Sequence, residues 1–227
     1  MIKDAALVAV YGPRGSGKST LTRALIDDRP NVVVFDPIGD YATLRGWAPV
    51  QLGMSEKENR KRLFAGARVA AKKKKFRMAV VPPEDEEEVC LHQLARWLMN
   101  FNKGYLEGKH GKRITLVVEE MDLSYPVNKL PKELRGMPRL CNQGRHSGID
   151  AIAVTQFPQQ ISKTYRNNAI YTYAFRLPEA PRKAVEANMM ASDKPVLRGL
   201  QQYEFIELSI KGMRRGKTLK SGKTSIK

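Results

Sequence analysis

The sequence predicts an α/β fold, a mostly parallel central sheet flanked by helices. Three observations carry that expectation. Short, almost uninterrupted apolar runs rich in β-branched residues recur along the chain, the pattern of strands covered on both faces. Helix-compatible stretches separate them, as strand–helix–strand alternation requires. The first apolar run ends in glycine and leads directly into a glycine-rich turn and a helix. A chain of 227 residues has room for one or two domains, and its core needs no disulfide or metal to hold it.

Taken in order, Ala5 to Tyr11 (AALVAVY) is short and apolar and reads as the first buried strand. Ser19–Asp28 follows as a helix, closed just before Pro30. Val32–Asp36 (VVVFD), Met78–Val81, Ile114–Glu119 (ITLVVE), Ala151–Thr155, Ala169–Phe175 and Glu204–Leu208 read as further strands. Between them, Pro83–Asn102 opens with five acidic residues, which suit a helix N-terminus. Val89, Leu94, Trp97, Leu98 and Phe101 then give that helix an apolar side. Residues 1–210 are expected to form one domain, with a basic insertion at 57–77 and a flexible basic tail at 211–227.

Composition narrows the setting. Two cysteines, Cys90 and Cys141, make no disulfide framework, and three scattered histidines give no zinc spacing. No apolar run is long enough to cross a bilayer, and the N-terminus lacks a basic-then-apolar leader, so a soluble protein of a reducing compartment is expected. The 40 lysines and arginines against 23 acids leave a net charge of +17, which calls for a polyanionic partner. Nucleic acid is the simplest such partner, and anionic lipid its rival.

The most specific local signal is Gly12-Pro13-Arg14-Gly15-Ser16-Gly17-Lys18-Ser19, with Thr20 beginning the helix. This G-x-x-x-x-G-K-S sits between a strand and a helix, where its backbone amides can wrap phosphate oxygens. Lys18 can reach the β- and γ-phosphates of ATP, and Ser19 can offer its hydroxyl to Mg2+. The strand Ile114–Val118 delivers Glu119 and Glu120 to a strand end, where ligands of open α/β sheets bind. Glu119 is assigned to the metal and Glu120 to the attacking water, with Asp122 a weaker substitute for either. Gln156, after Thr155, is an uncharged amide placed to report whether the nucleotide is tri- or diphosphate.

These residues, together with three further segments, resemble the HerA/FtsK superfamily of DNA-pumping ATPases. The segments are Asp36-Pro37-Ile38-Gly39-Asp40-Tyr41, Val117-Val118-Glu119-Glu120, and Gly144-Arg145-His146-Ser147-Gly148-Ile149 leading to Val154-Thr155-Gln156-Phe157-Pro158. The resemblance covers roughly residues 5–177 and implies a RecA-like P-loop NTPase core working as a ring, expected to be a hexamer, around double-stranded DNA. It implies that Glu120 is the catalytic carboxylate, that Gln156 is the sensor, and that a basic residue reaches the neighbouring subunit's nucleotide. Arg145 is the choice for that finger, with Arg135 and Arg139 as rivals. The chain departs from the family pattern at Glu119, where aspartate is usual, and at Phe157, where arginine is usual.

A motor core without a preceding barrel or membrane region resembles the genome-packaging ATPases of internal-membrane, double-stranded DNA viruses. That implies a virion location at the packaging vertex, the host cytoplasm during assembly, portal or vertex proteins as partners, and the possibility of membrane contact. Lys72, Lys73, Lys74, Lys75 and Arg77 are the candidate DNA contacts, because phosphate binding by Lys and Arg is independent of sequence. A solvated or lipid-facing charge patch is the alternative for them. The competing functions are a HerA-like helicase or conjugation pump, a nucleotide or small-molecule kinase, and a non-catalytic DNA-binding scaffold.

Overall fold

The computed structural model describes residues 6–128, 131, 134–219 and 222–226. Within them, ten strands form one sheet in the order β10-β9-β8-β7-β1-β6-β5-β2-β4-β3. The strands are β1 (Leu7–Tyr11), β2 (Asn31–Phe35), β3 (Ala48–Gln51), β4 (Phe76–Val81), β5 (Ile114–Val118), β6 (Ile149–Thr155), β7 (Ala169–Phe175), β8 (Glu204–Ser209), β9 (Gly212–Thr218) and β10 (Thr224–Ile226). β1 to β7 run parallel, and β8, β9 and β10 continue the sheet antiparallel. All the strands read from the apolar runs are present.

Alternate residues of the buried strands feed two cores, one on each face. Val8, Val10, Val32, Val34, Val117, Ile152 and Val154 pack with Leu21 and Ile26 of α1 (Lys18–Asp27). On the other face, Ala9, Val33, Phe35, Leu116, Val118 and Ala153 meet α2 (Glu56–Ala71), α3 (Glu87–Phe101), α6 (Gly136–Gln143) and α7 (Lys163–Asn168). Shorter helices complete the chain: α4 (Lys103–Leu106), α5 (Met121–Ser124), α8 (Glu179–Glu186) and α9 (Lys194–Arg198). No helix among the described residues is long and apolar enough to cross a membrane.

Two expectations are corrected. The basic segment at 57–77 is not an insertion. Residues 57–71 belong to the crossover helix α2, which joins β3 to β4 and buries Leu63, Gly66, Ala67 and Ala70, while 72–75 form the following turn and Arg77 lies in β4. A Cβ on Gly66 would stand 2.1 Å from Val50 Cγ2, so the missing side chain is what lets α2 lie close on β3. The tail is not a flexible appendage either. Residues 212–218 and 224–226 are strands β9 and β10; Lys220, Ser221 and Lys227 lie outside the described residues. Cross-strand ion pairs neutralise two of the three basic residues of β9, with Arg214 to Glu207 at 2.5 Å and Arg215 to Glu204 at 2.6 Å.

Candidate active site

The glycine loop joins the end of β1 to α1, and its conformation depends on glycine at two points. Gly15 and Gly17 have φ of 74° and 106°, values that strain any residue carrying a Cβ. At Gly17 the obstacle is also steric, because a Cβ would stand 2.3 Å from Thr218 Oγ1 of β9. The supposed tail therefore braces the phosphate loop. Gly17 precedes the first turn of α1, where backbone amides with no partner inside the helix face the loop.

Lys18 is buried, and its ammonium donates to the Pro13 carbonyl at 3.1 Å. Burial lowers its pKa, while the fields of Glu120, Glu119 and Asp122 hold it up. Those three carboxylates come from the end of β5 and the start of α5. The sheet order makes this possible, since only β6 lies between β1 and β5. The glycine loop and the carboxylates expected to serve it thus share the C-terminal edge of the parallel strands.

Glu119 and Glu120 occupy different environments. Burial pushes the Glu119 carboxyl up to about 7, and the neighbouring Glu120 and Asp36 add to the rise. Its Oε1 is buried with no hydrogen-bond partner among the described residues, as is Ser16 Oγ in the loop. The unpartnered carboxylate oxygen of Glu119, in the field of buried Lys18, suits a divalent cation carried by a triphosphate. Glu120 sits in the left-handed region, with φ of 44°, at the turn between β5 and α5. Such a cost is characteristic of positions where side-chain aim matters. Gln156 Nε2 lies 3.4 Å from Glu120 Oε1, so the predicted sensor and the predicted water-orienting carboxylate meet. Burial also raises the Glu120 pKa.

Two residues have roles that the sequence did not disclose. Asp36 is buried, and its carboxylate accepts from the amides of Gly39, Tyr41 and Ala42 at 2.8–3.1 Å. It folds the loop after β2 so that Tyr41 stands beside Glu119, and the tyrosine supports the carboxylate form. Asp122, the substitute candidate, is held by the Thr155 hydroxyl and ties α5 to the end of β6. A local Asx-type loop signal, aspartate followed by Pro37 and Gly39, could have revealed the first role.

Other candidates fall elsewhere. Arg145 is exposed on a 3-10 turn (Gly144–Ser147) that leads into β6, at the opposite end of the sheet from its own glycine loop. Arg135 is exposed at the N-terminus of α6, and Arg139 donates to Gln143 at 3.2 Å. Arg77 is buried and donates to the carbonyls of Ile26, Asp27, Pro30 and Phe76, closing the end of α1. It has no free face for DNA. Lys73 and Lys75 are bonded to the carbonyls of Trp47 and Asp27, whereas Lys72 and Lys74 are exposed. Tyr165 is buried, its hydroxyl donating to the carbonyls of Val8 and Ala151.

A cavity of about 240 Å³ adjoins the glycine loop on the side away from the carboxylates, lined by Pro13, Arg14, Phe175, Arg176, Gln202 and Tyr203.

A strand, glycine loop and helix facing acidic residues one strand removed define a P-loop nucleoside triphosphatase. Residues 7–176 match the family model described as the central domain of the helicase HerA, and the chain belongs to that family, within the HerA/FtsK superfamily of P-loop ATPases. As in that family of P-loop ATPases, its enzymatic activity is ATP hydrolysis. The fold is similar to that of the genome packaging NTPase B204 from Sulfolobus turreted icosahedral virus 2, solved with AMPPCP. That likeness has a TM-score of 0.66 at 17% identity, over 100% of this chain and 98% of that one. The pCW3 conjugation coupling protein TcpA, solved with ATPgS, gives 0.59 at 17%, over 93% of this chain and 59% of that one. VirB4 of Thermoanaerobacter pseudethanolicus gives 0.54 at 12%, over 91% and 87%. No curated protein matches the sequence.

Proposed function

We propose that this protein is the ATP-driven motor that moves double-stranded DNA into a preformed viral capsid. The observation that carries the motor reading is the placement of buried Lys18 in the field of Glu119, Glu120 and Asp122, with Gln156 on Glu120. Packaging is favoured over conjugation by the stronger likeness of fold to the viral NTPase, with a TM-score of 0.66 against 0.59 for the coupling protein.

In this reading Lys18 and the loop from Gly12 to Thr20, through its free amides, hold the triphosphate, with Ser19 and Glu119 the residues that would hold Mg2+. The metal, when bound, neutralises charge on the β- and γ-phosphate oxygens. Glu120 orients a water for in-line attack, and Lys18 stabilises the charge that develops. Gln156 also bonds the γ-phosphate in this reading, and the loss of that bond when phosphate leaves is passed to β6. Arg145 from a neighbouring subunit is the proposed finger, with Arg135 and Arg139 as alternatives on the same chain. A ring, expected to be hexameric, around duplex DNA at a portal vertex of the virion accommodates these roles.

ATPase rate measured over a protein-concentration series, with and without duplex DNA, tests this. Shared sites make activity rise faster than linearly with protein, and duplex raises it further. A strictly linear rate indifferent to duplex, with phosphoryl transfer to a small acceptor, would instead identify a kinase.

A further inference from the structure

Acidic and basic residues gather at opposite edges of the parallel strands, with Arg14, Lys18 and Arg176 as exceptions at the acidic edge and Asp27 and Asp28 at the basic one. At the C-terminal edge of the parallel strands lie Asp36 and Asp40 after β2, the run Glu84-Asp85-Glu86-Glu87-Glu88 after β4, and Glu119, Glu120 and Asp122 after β5. At the opposite edge lie Lys72, Lys73, Lys74 and Lys75 before β4, Lys109, Lys112 and Arg113 before β5, and Arg145 and His146 before β6. The two edges are separated by strands of five to seven residues, about 16–23 Å.

Some of the basic groups at the second edge already serve the fold. Arg29 and Arg113 bind buried Asp150 at 2.7 and 2.5 Å, and that carboxylate also accepts from the Ala6 amide. Lys73 and Lys75 hold carbonyls, Lys75 also lies 3.5 Å from Asp27, and Lys103 and Lys109 share Glu107. By contrast, Lys72, Lys74, Lys112 and Arg145 are exposed, with no side-chain hydrogen bond or ion pair among the described residues. Their loops precede β4, β5 and β6, which with β2 between them span about 14 Å across the sheet.

We propose that this strand-N-terminal edge is a docking face for the phosphate backbone of duplex DNA, with Lys72, Lys74 and Lys112 as its contacts. The proposal rests on the reading of the chain as a DNA motor and adds where the duplex lies. Lys72 and Lys74 before β4 and Lys112 before β5 stand about 10 Å apart across the sheet, far enough to meet several phosphates of one duplex, since B-DNA carries a charge about every 1.7 Å of its axis. No phenyl, phenol or indole ring is exposed among residues 72–75, 112 or 144–147, so the face offers charge without a stacking platform, which suits duplex over single strands. Its separation from the acid-rich edge keeps the polyanion clear of Glu119 and Glu120.

The test is the triple variant Lys72→Glu, Lys74→Glu, Lys112→Glu, against a control with Lys57→Glu and Arg60→Glu at the other end of α2. Binding to two 30-bp duplexes of unrelated sequence is measured by anisotropy across a salt series, alongside basal ATPase and binding to vesicles containing phosphatidylserine. The expected result is a loss of at least about tenfold in duplex affinity for both sequences. A shallower salt dependence, by about two to three released ions, accompanies it. Basal ATPase stays intact, and the control binds like the parent. Parent-like affinity and salt slope in the triple variant would overturn the proposal while leaving the motor reading standing. Loss of vesicle binding with duplex binding retained would reassign the face to lipid. A parent protein that hydrolyses ATP but binds no duplex would overturn the docking face, and one without ATPase activity would defeat the motor reading itself.

Discussion

Glu119 shows how one side chain links folding to catalysis. Its carboxyl titrates near 7 in the folded protein against an ordinary value of 4.5, because burial disfavours the charged form. The sign follows from proton binding: the folded state holds this proton more tightly than the unfolded chain does. The resulting stability is complete below pH 4.5 and is lost as pH rises through about 7, a swing of about 3 kcal/mol. Chemical denaturation in EDTA should therefore find Glu119→Gln more stable than the parent at pH 8 and the two equal near pH 4. In the parent, magnesium must displace that proton, so the Mg2+ concentration needed for half-maximal ATPase should fall as pH rises from 6 to 8. A flat dependence would remove Glu119 from the metal shell. Lys18→Ala should weaken ATP binding and turnover together, because its ammonium faces the phosphates in both the ground and transition states.

Among the elements, β9 and α2 carry the largest departures from what the sequence disclosed. Truncation after Ile210 would be harmless to a core with a loose tail. Here it uncovers Phe205 and removes Thr218 from behind Gly17. The truncated protein should melt at least about 5 °C lower and bind ATP more weakly, as read by calorimetry and titration. A Val at Gly66 should cost about 1–3 kcal/mol by wedging α2 off β3.

The buried strands were legible because each is a local apolar run that no other environment accommodates. The glycine loop, Glu119, Glu120 and Gln156 were legible because strand ends fix them within a few residues. β3 escaped notice because it is four residues long, contains Pro49, and lies at the sheet edge. α2 was hidden by charge, since its buried stripe uses the small residues Gly66, Ala67 and Ala70. Its one clear signal was Ser55 with Glu58 three residues on, whose amide Ser55 caps at 3.4 Å. β9 could not be read locally, because the acids that neutralise it lie on β8. Arg77 was misread for the same reason: a guanidinium closing a helix end looks, in sequence, like one more cation in a basic run.

For the whole molecule, the alternation of acidic and basic loops separates the chemistry of ATP from the handling of a polyanion by the depth of the sheet. Arg145 lies on the basic edge, so a finger role requires a neighbour to bring that edge to the acidic edge of the next subunit. Single alanine variants of Arg135, Arg139 and Arg145 should rank the three. The true finger loses about 1,000-fold in turnover in the assembled state and supports activity when mixed with a Lys18→Ala partner. A variant that loses turnover but cannot be complemented in this way acts within its own subunit.

The central claim is that Glu120 serves a triphosphate held by Lys18 one strand away. ATP affinity and single-turnover hydrolysis measured on Glu120→Gln test it most directly. The account predicts binding within about threefold of the parent and turnover reduced at least about 100-fold. Hydrolysis at the parent rate would contradict it.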